Sequence, residues 1–203
     1  MIVPEPFLRY VAHYIVRRLS KGACEIKDPK AAEQALERVL AADFLIEDEI
    51  NSEARELLNQ YSDYISKNEI PFHEMYNRVK KKILLERKYI SAASRESSDS
   101  RTSKIARDKL TDLSHQLAAQ LPRIPGVRVL RGWNNARLEI TKYLGAVFAL
   151  EEQIDKKASS MISSQQRNIV EGGQEWKVLH RRFYEQEMQR LGVDMSPPER
   201  VRT

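Results

Sequence analysis

A single cysteine, Cys24, stands in the 203-residue chain, so no disulfide framework is available and a reducing compartment is expected. Long apolar runs are missing too: the longest, around Tyr143 to Leu150, stops after about eight residues, far short of a bilayer span. No membrane crossing is expected. The opening Met-Ile-Val-Pro-Glu-Pro has no basic segment feeding an apolar stretch, so no secretory signal is read and a cytoplasmic setting is expected. Glycine is scarce, with seven residues, and no glycine-rich loop leads to a Lys-Ser/Thr pair. What the chain does have is charge, 31% Asp, Glu, Lys and Arg, beside 41% apolar residues, the balance of a folded domain with a polar surface.

The net charge is +5 and its location is uneven. Residues 1–90 hold 15 Lys and Arg against 15 Asp and Glu, 91–103 hold 2 against 2, and 193–203 hold 2 against 2. Residues 104–192 hold 15 against 10, so the whole excess lies in the second half. A polyanion surface is expected there first.

An internal repeat organises the chain. Leu40 to Leu58 laid over Leu144 to Ile162, at a constant offset of 104, gives six identities in nineteen positions: Leu40/Leu144, Ala42/Ala146, Phe44/Phe148, Glu47/Glu151, Ile50/Ile154 and Ala54/Ala158. Average composition gives roughly one. The register continues through Phe72/Trp176, Met75/Leu179, Arg78/Arg182 and Val79/Phe183. The reading is two homologous units, 1–90 and 104–192, joined by a linker at 91–103 with six serines, either flexible or a polar helix extension, and followed by a frayed tail at 193–203.

Each unit reads as three helices, an all-α plan. In the first, Leu8, Val11, Ile15 and Leu19 recur at three and four, and Gly22 suits the stop. Asp28-Pro29 then caps a long central helix carrying Ala32, Leu36, Val39, Asp43, Ile46, Ile50, Ala54 and Leu57, uninterrupted by Gly or Pro until Pro71. Pro71 starts a third helix to about Tyr89. The second unit repeats this with Leu110, Leu113, Leu117 and Leu121, and then a long helix capped by Asn134 or Asn135 with Leu138, Leu144, Val147, Ile154, Met161 and Ile162 inward. Its last helix carries Trp176, Leu179, Phe183 and Met188, with Gly192 as the C-terminal cap. Val127 to Leu130 reads as a short strand with Glu25-Ile26 its counterpart, and a minor two-strand pairing between the units fits these segments. Phe44, Ile50, Phe148, Ile154, Trp176, Leu179 and Phe183 are the expected core anchors. A helix of such length needs a cover, either the other unit or a second chain.

The segment Val170-Glu171-Gly172-Gly173-Gln174-Glu175-Trp176-Lys177-Val178-Leu179-His180-Arg181-Arg182-Phe183-Tyr184-Glu185-Gln186-Glu187 resembles the C-terminal signature of a bacterial helical family, domain of unknown function five-hundred-seven. Looser similarity runs through Glu47-Asp48-Glu49-Ile50 and Met75 to Arg87. The chain departs from the signature at Phe183-Tyr184, where two tyrosines are usual, and near Gly173, where a serine is. The resemblance implies a helical fold and a bacterial origin, and no reaction, cofactor or partner.

Candidate chemistry is sparse. Of the four histidines, only His115 has a carboxylate, Asp112, three residues before it, so a di-iron site of Glu-x-x-His pairs is not expected. His13 and His115 are read as capping or partly buried structural residues, and Cys24 as a small buried one. Glu47, Asp48, Glu49, Glu151 and Glu152 are read as a solvated face or helix-to-helix ion pairs rather than a cation site. The expectation is a non-enzymatic helical interaction or scaffold protein, without cofactor or metal, binding a protein partner or a second copy of itself. Arg128, Arg131, Trp133, Arg181 and Arg182 are its expected partner surface. The alternative is an RNA- or ribosome-associated protein using Arg123 to Arg137 and the basic run Arg78, Lys80, Lys81, Lys82, Arg87 and Lys88.

Overall fold

The computed structural model describes residues 3–62, 67, 71–92, 105–164, 169–171 and 173–195. Among these are six α-helices and one two-stranded sheet. Helix α1 is Glu5–Leu19, strand β1 is Cys24–Ile26, α2 is Pro29–Gln60 and α3 is Phe72–Glu86. Helix α4 is Arg107–Gln120, a 3₁₀ turn covers Leu121–Arg123, β2 is Val127–Val129, α5 is Trp133–Ser163 and α6 is Gln174–Arg190. The protein is all-α with a minor strand pair, and the order helix, strand, long helix, helix occurs twice.

Local chemistry explains the boundaries. Asp28 accepts the Ala31 amide at 3.1 Å and Pro29 opens α2, whose 32 residues make about 48 Å at 1.5 Å each. The expected extension of α2 to Pro71 runs through 63–66 and 68–70, outside the described residues. Helix α5 begins at Trp133 behind Gly132, at φ 83°, and not behind Asn134 or Asn135 as a side-chain cap. Asn135 instead turns back to the Arg131 carbonyl at 2.7 Å. Helices α3 and α6 stop alike: Lys88 (φ 51°) and Gly192 (φ 81°) are left-handed, and the next amide returns to the Leu84 or Met188 carbonyl at 3.0 Å.

The strands pair antiparallel, with Cys24 opposite Val129, Glu25 opposite Arg128 and Ile26 opposite Val127. This pairing ties the starts of α2 and α5 to one end of the molecule. From there one continuous core runs across both halves, with Phe7, Leu8, Ile15, Leu36, Leu40, Phe44, Leu113, Leu117, Ile140, Leu144 and Phe148 all buried. Helix α1 packs on α2 and also on α5, and α4 packs on α5 and also on α2. Neither half therefore closes a core by itself. Beyond Phe44 and Phe148, each long helix is accompanied by its own last helix, α3 or α6, as a two-helix arm. Ile50, Ala54, Ile83 and Leu84 make a separate small core in the first arm.

Several expected placements are corrected. Ile46 and Leu138 are exposed, at 39% and 50%, while Leu40 and Glu47 take the inward positions on α2. Phe44, Ile50, Phe148 and Ile154 are buried anchors, but Trp176, Leu179 and Phe183 are only half-buried. His13 and His115 are exposed. At the start of the linker Ser91 is half-buried and Ala92 buried, whereas 93–103 lie outside the described residues. Val193, placed in the frayed tail, is also buried in the main core, and the tail from 196 lies outside the described residues.

Candidate interaction surfaces

Two polar clusters hold the elements that present the surface. The first joins α2, the end of α3 and α4. Lys109, fully buried, lies 2.5 Å from Asp43 Oδ2 and donates to the Tyr89 hydroxyl at 2.9 Å, its ammonium 4.1 Å from that ring's centre. Tyr89 Oη is 2.8 Å from the Asp43 carbonyl oxygen, and Gln116 donates to Asp43 Oδ1 at 3.1 Å. One turn along, Glu47 accepts from Ser91 at 2.5 Å and from the Ala92 amide at 2.9 Å, with Lys80 3.6 Å away. Burial, then the charges of Asp43 and Glu47, push the Tyr89 phenol well above its ordinary range, so it keeps its proton. The carboxylates are filled by protein donors, which fixes the register of three helices.

The second cluster joins α5 and α6. Tyr184 donates to Glu151 at 2.8 Å, His180 Nε2 lies 3.3 Å from Asp155, and the Trp176 indole stacks on His180 with 4.6 Å between centroids. Glu187 pairs with Lys157 at 2.6 Å and with Arg190. Burial first, and Glu151 second, raise the Tyr184 phenol. Glu47 and Glu151 are thus inward-facing, not members of a solvated face. Among the described residues, no group of three or more His, Cys, Asp or Glu is placed to hold a metal ion.

The expected partner residues separate into two groups. Arg128, Arg131 and Trp133 are exposed together at the strand end. Arg181 and Arg182 are exposed on α6 beside His180, which packs at the level of Asp155. From Trp133 to Asp155 is about 33 Å of helix at 1.5 Å per residue. One patch cannot include both groups. The basic run on α3 is largely neutralised: Arg78 pairs with Glu74 at 2.6 Å, Lys80 with Glu47, Lys82 with Glu86 at 3.9 Å, and Arg87 with Glu53 at 2.5 Å.

The apolar seams of the arms are the surface that sequence reading assigned to the core. Along the first arm, Leu57, Leu58, Tyr61, Met75, Val79 and Ile83 line an open, mostly apolar groove of about 420 Å³, and Phe72 is 52% exposed at its end. Phe72, Met75 and Val79 are the positions that match Trp176, Leu179 and Phe183 of the second arm. Periodicity finds the stripe on both helices. It does not show that each meets only one partner helix.

Residues 1–193 match the family model described as "Protein of unknown function (DUF507)". No curated protein matches the chain.

Proposed function

We propose that the chain, which belongs to the DUF507 family, is a non-enzymatic helical interaction protein of the bacterial cytoplasm, built from two homologous three-helix units. The observation that carries this reading is the half-exposed apolar seam repeated on both arms. A two-helix hairpin covers one side of each stripe, and a four-helix bundle covers the rest. An arm of a second copy is the occupant we propose, because the arms carry the same stripe and both signs of charge: Lys81, Lys82 and Glu86 on α3, Arg181, Arg182 and Glu185 on α6. Exposed apolar area of this kind marks association sites.

Homology of the units is supported by contacts recurring at the offset of 104. The Tyr76–Asn51 hydrogen bond (2.9 Å) has its counterpart in His180–Asp155, and Lys80–Glu47 in Tyr184–Glu151. The non-enzymatic part is supported by the way Asp43, Glu47 and Lys109 are occupied by one another and by neighbouring donors.

Sedimentation velocity over a concentration series tests the reading. The wild type is expected to gain mass with concentration, whereas Val79→Glu and Phe183→Glu stay monomeric, with circular dichroism checking that each is folded. A wild type that is monomeric throughout, and whose co-purifying proteins do not depend on Val79 or Phe183, overturns it.

A further inference from the structure

A different surface stands out at the strand end. Helices α1 and α4 run into it and α2 and α5 leave from it, so cations far apart in sequence gather there: Arg17, Arg18, Lys21, Lys27, Arg123, Arg128 and Arg131. None lies within 4.0 Å of a carboxylate of the described residues, in contrast with the paired cations of α3. The local acids are occupied or few. Asp28 caps α2, Glu139 accepts from Tyr143 at 2.9 Å, and Glu25 stands opposite Arg128 in the strand register without coming within 4.0 Å of its guanidinium. Residues 113–138 hold four arginines and no Asp or Glu.

The two halves meet in this patch. The Arg131 guanidinium lies against Gly22, where a Cβ would stand 3.5 Å from its Nη2, which sets it beside Lys21. Trp133 is 51% exposed next to Arg131, and Arg18 sits over the Tyr14 ring at 5.0 Å. A shallow groove of about 480 Å³ along α1 continues the patch, lined by Tyr10, His13, Tyr14, Arg17, Arg18 and Lys21. Cations without a carboxylate within 4.0 Å, with the open Trp133 ring among them, suit a single strand: the cations take the backbone and the ring stacks a base.

We infer that the strand end is a binding surface for single-stranded nucleic acid, with Arg128, Arg131, Lys21 and Arg17 on phosphates and Trp133 as a stacking platform. It is independent of the arm seams and uses both halves of the chain. An anionic membrane would also attract the cations, and binding to vesicles in place of the oligonucleotide is the outcome that separates the two.

Fluorescence anisotropy of the full chain with a labelled oligo-uridine tests this. If about four phosphates are engaged, affinity falls about 50-fold between about 50 and about 200 mM salt. Arg128→Glu and Arg131→Gln each weaken binding, and Trp133→Ala weakens it about tenfold. Lys81→Ala/Lys82→Ala on α3 leaves it unchanged. Circular dichroism checks that each variant is folded, and Arg17→Gln, on a different element, repeats the test should a strand-end variant be unfolded. Affinity that ignores salt, an equal loss in the α3 variant, or binding to phosphatidylglycerol vesicles with none to the oligonucleotide overturns the inference. Val79→Glu is expected to bind like the wild type, so failure of the arm reading and failure of this one are told apart.

Discussion

Phe44 and Phe148 occupy matching positions on the two long helices, and their rings meet at the centre of the molecule with 6.2 Å between centroids. Phe7 adds an edge contact to Phe148 at 5.7 Å. This is where the two halves become one core. Phe148→Ala is expected to cost about 3 to 5 kcal/mol in denaturant titration, from lost burial and the cavity left behind. Because the rings touch, Phe44→Ala/Phe148→Ala should cost less than the sum of the singles, and additive losses would contradict the contact.

Lys109 and Asp43 make the polar counterpart of that contact, both buried. Lys109→Met leaves the Asp43 charge in a dry site and is expected to destabilise by about 3 to 5 kcal/mol. Asp43→Leu/Lys109→Met removes both charges and should recover most of the loss, as read by chemical melts. A double variant no better than the single would show that the pair contributes through something other than mutual neutralisation.

Trp176 is half-buried, stacked on His180 at the outer face of α6. Its removal therefore forfeits a ring contact more than a filled core site. Trp176→Ala is expected to lower stability by about 1 kcal/mol, well under the loss at Phe148, and to weaken self-association measured by sedimentation. A loss as large as that at Phe148 would place the indole inside.

Alkaline pH should expose the buried protons. Burial, with a smaller contribution from Glu139, pushes the Cys24 thiol up to about 11, and the Tyr89 and Tyr184 phenols are raised as well. Each group holds its proton in the folded chain at a pH where the unfolded chain has released it. Their contribution to stability is therefore complete below the unfolded values, near 9 for the thiol and 10 for the phenols, and is lost as pH rises through the folded ones. The denaturation midpoint is expected to fall above about pH 9. A thiol reagent at neutral pH should label Cys24 only in denaturant; equal labelling of the folded chain would contradict its burial.

Reading the sequence recovered the helices because their determinants are local: Asp28-Pro29, Pro71 and Gly192 mark ends, and leucines at three and four mark faces. It even placed Asp43 on the inward stripe of α2. What it could not supply was the partner of Asp43, since Lys109 lies on another helix 66 positions later and resembles any surface lysine. For Glu47 and Glu151 the solvated-face alternative fails for the same reason, while the helix-to-helix ion pair holds for Glu47 with Lys80. A carboxylate looks solvated until the Ser91 or Tyr184 that fills it is brought alongside. Trp176, Leu179 and Phe183 went the other way, because a stripe reports that a face is apolar and not how many helices cover it.

The sequence by itself determined the all-α class, the short strand pair, the helix ends marked by Asp28-Pro29, Pro71 and Gly192, and the family, because these rest on neighbours within a few residues and on recurring words. The tertiary structure alone decided that the halves share one core, that charges at 43 and 109 neutralise each other in the dark, and that cations from residues 17–27 join those from 123–131 at one end. Those facts depend on which helices meet across long chain separations, and no local pattern encodes that.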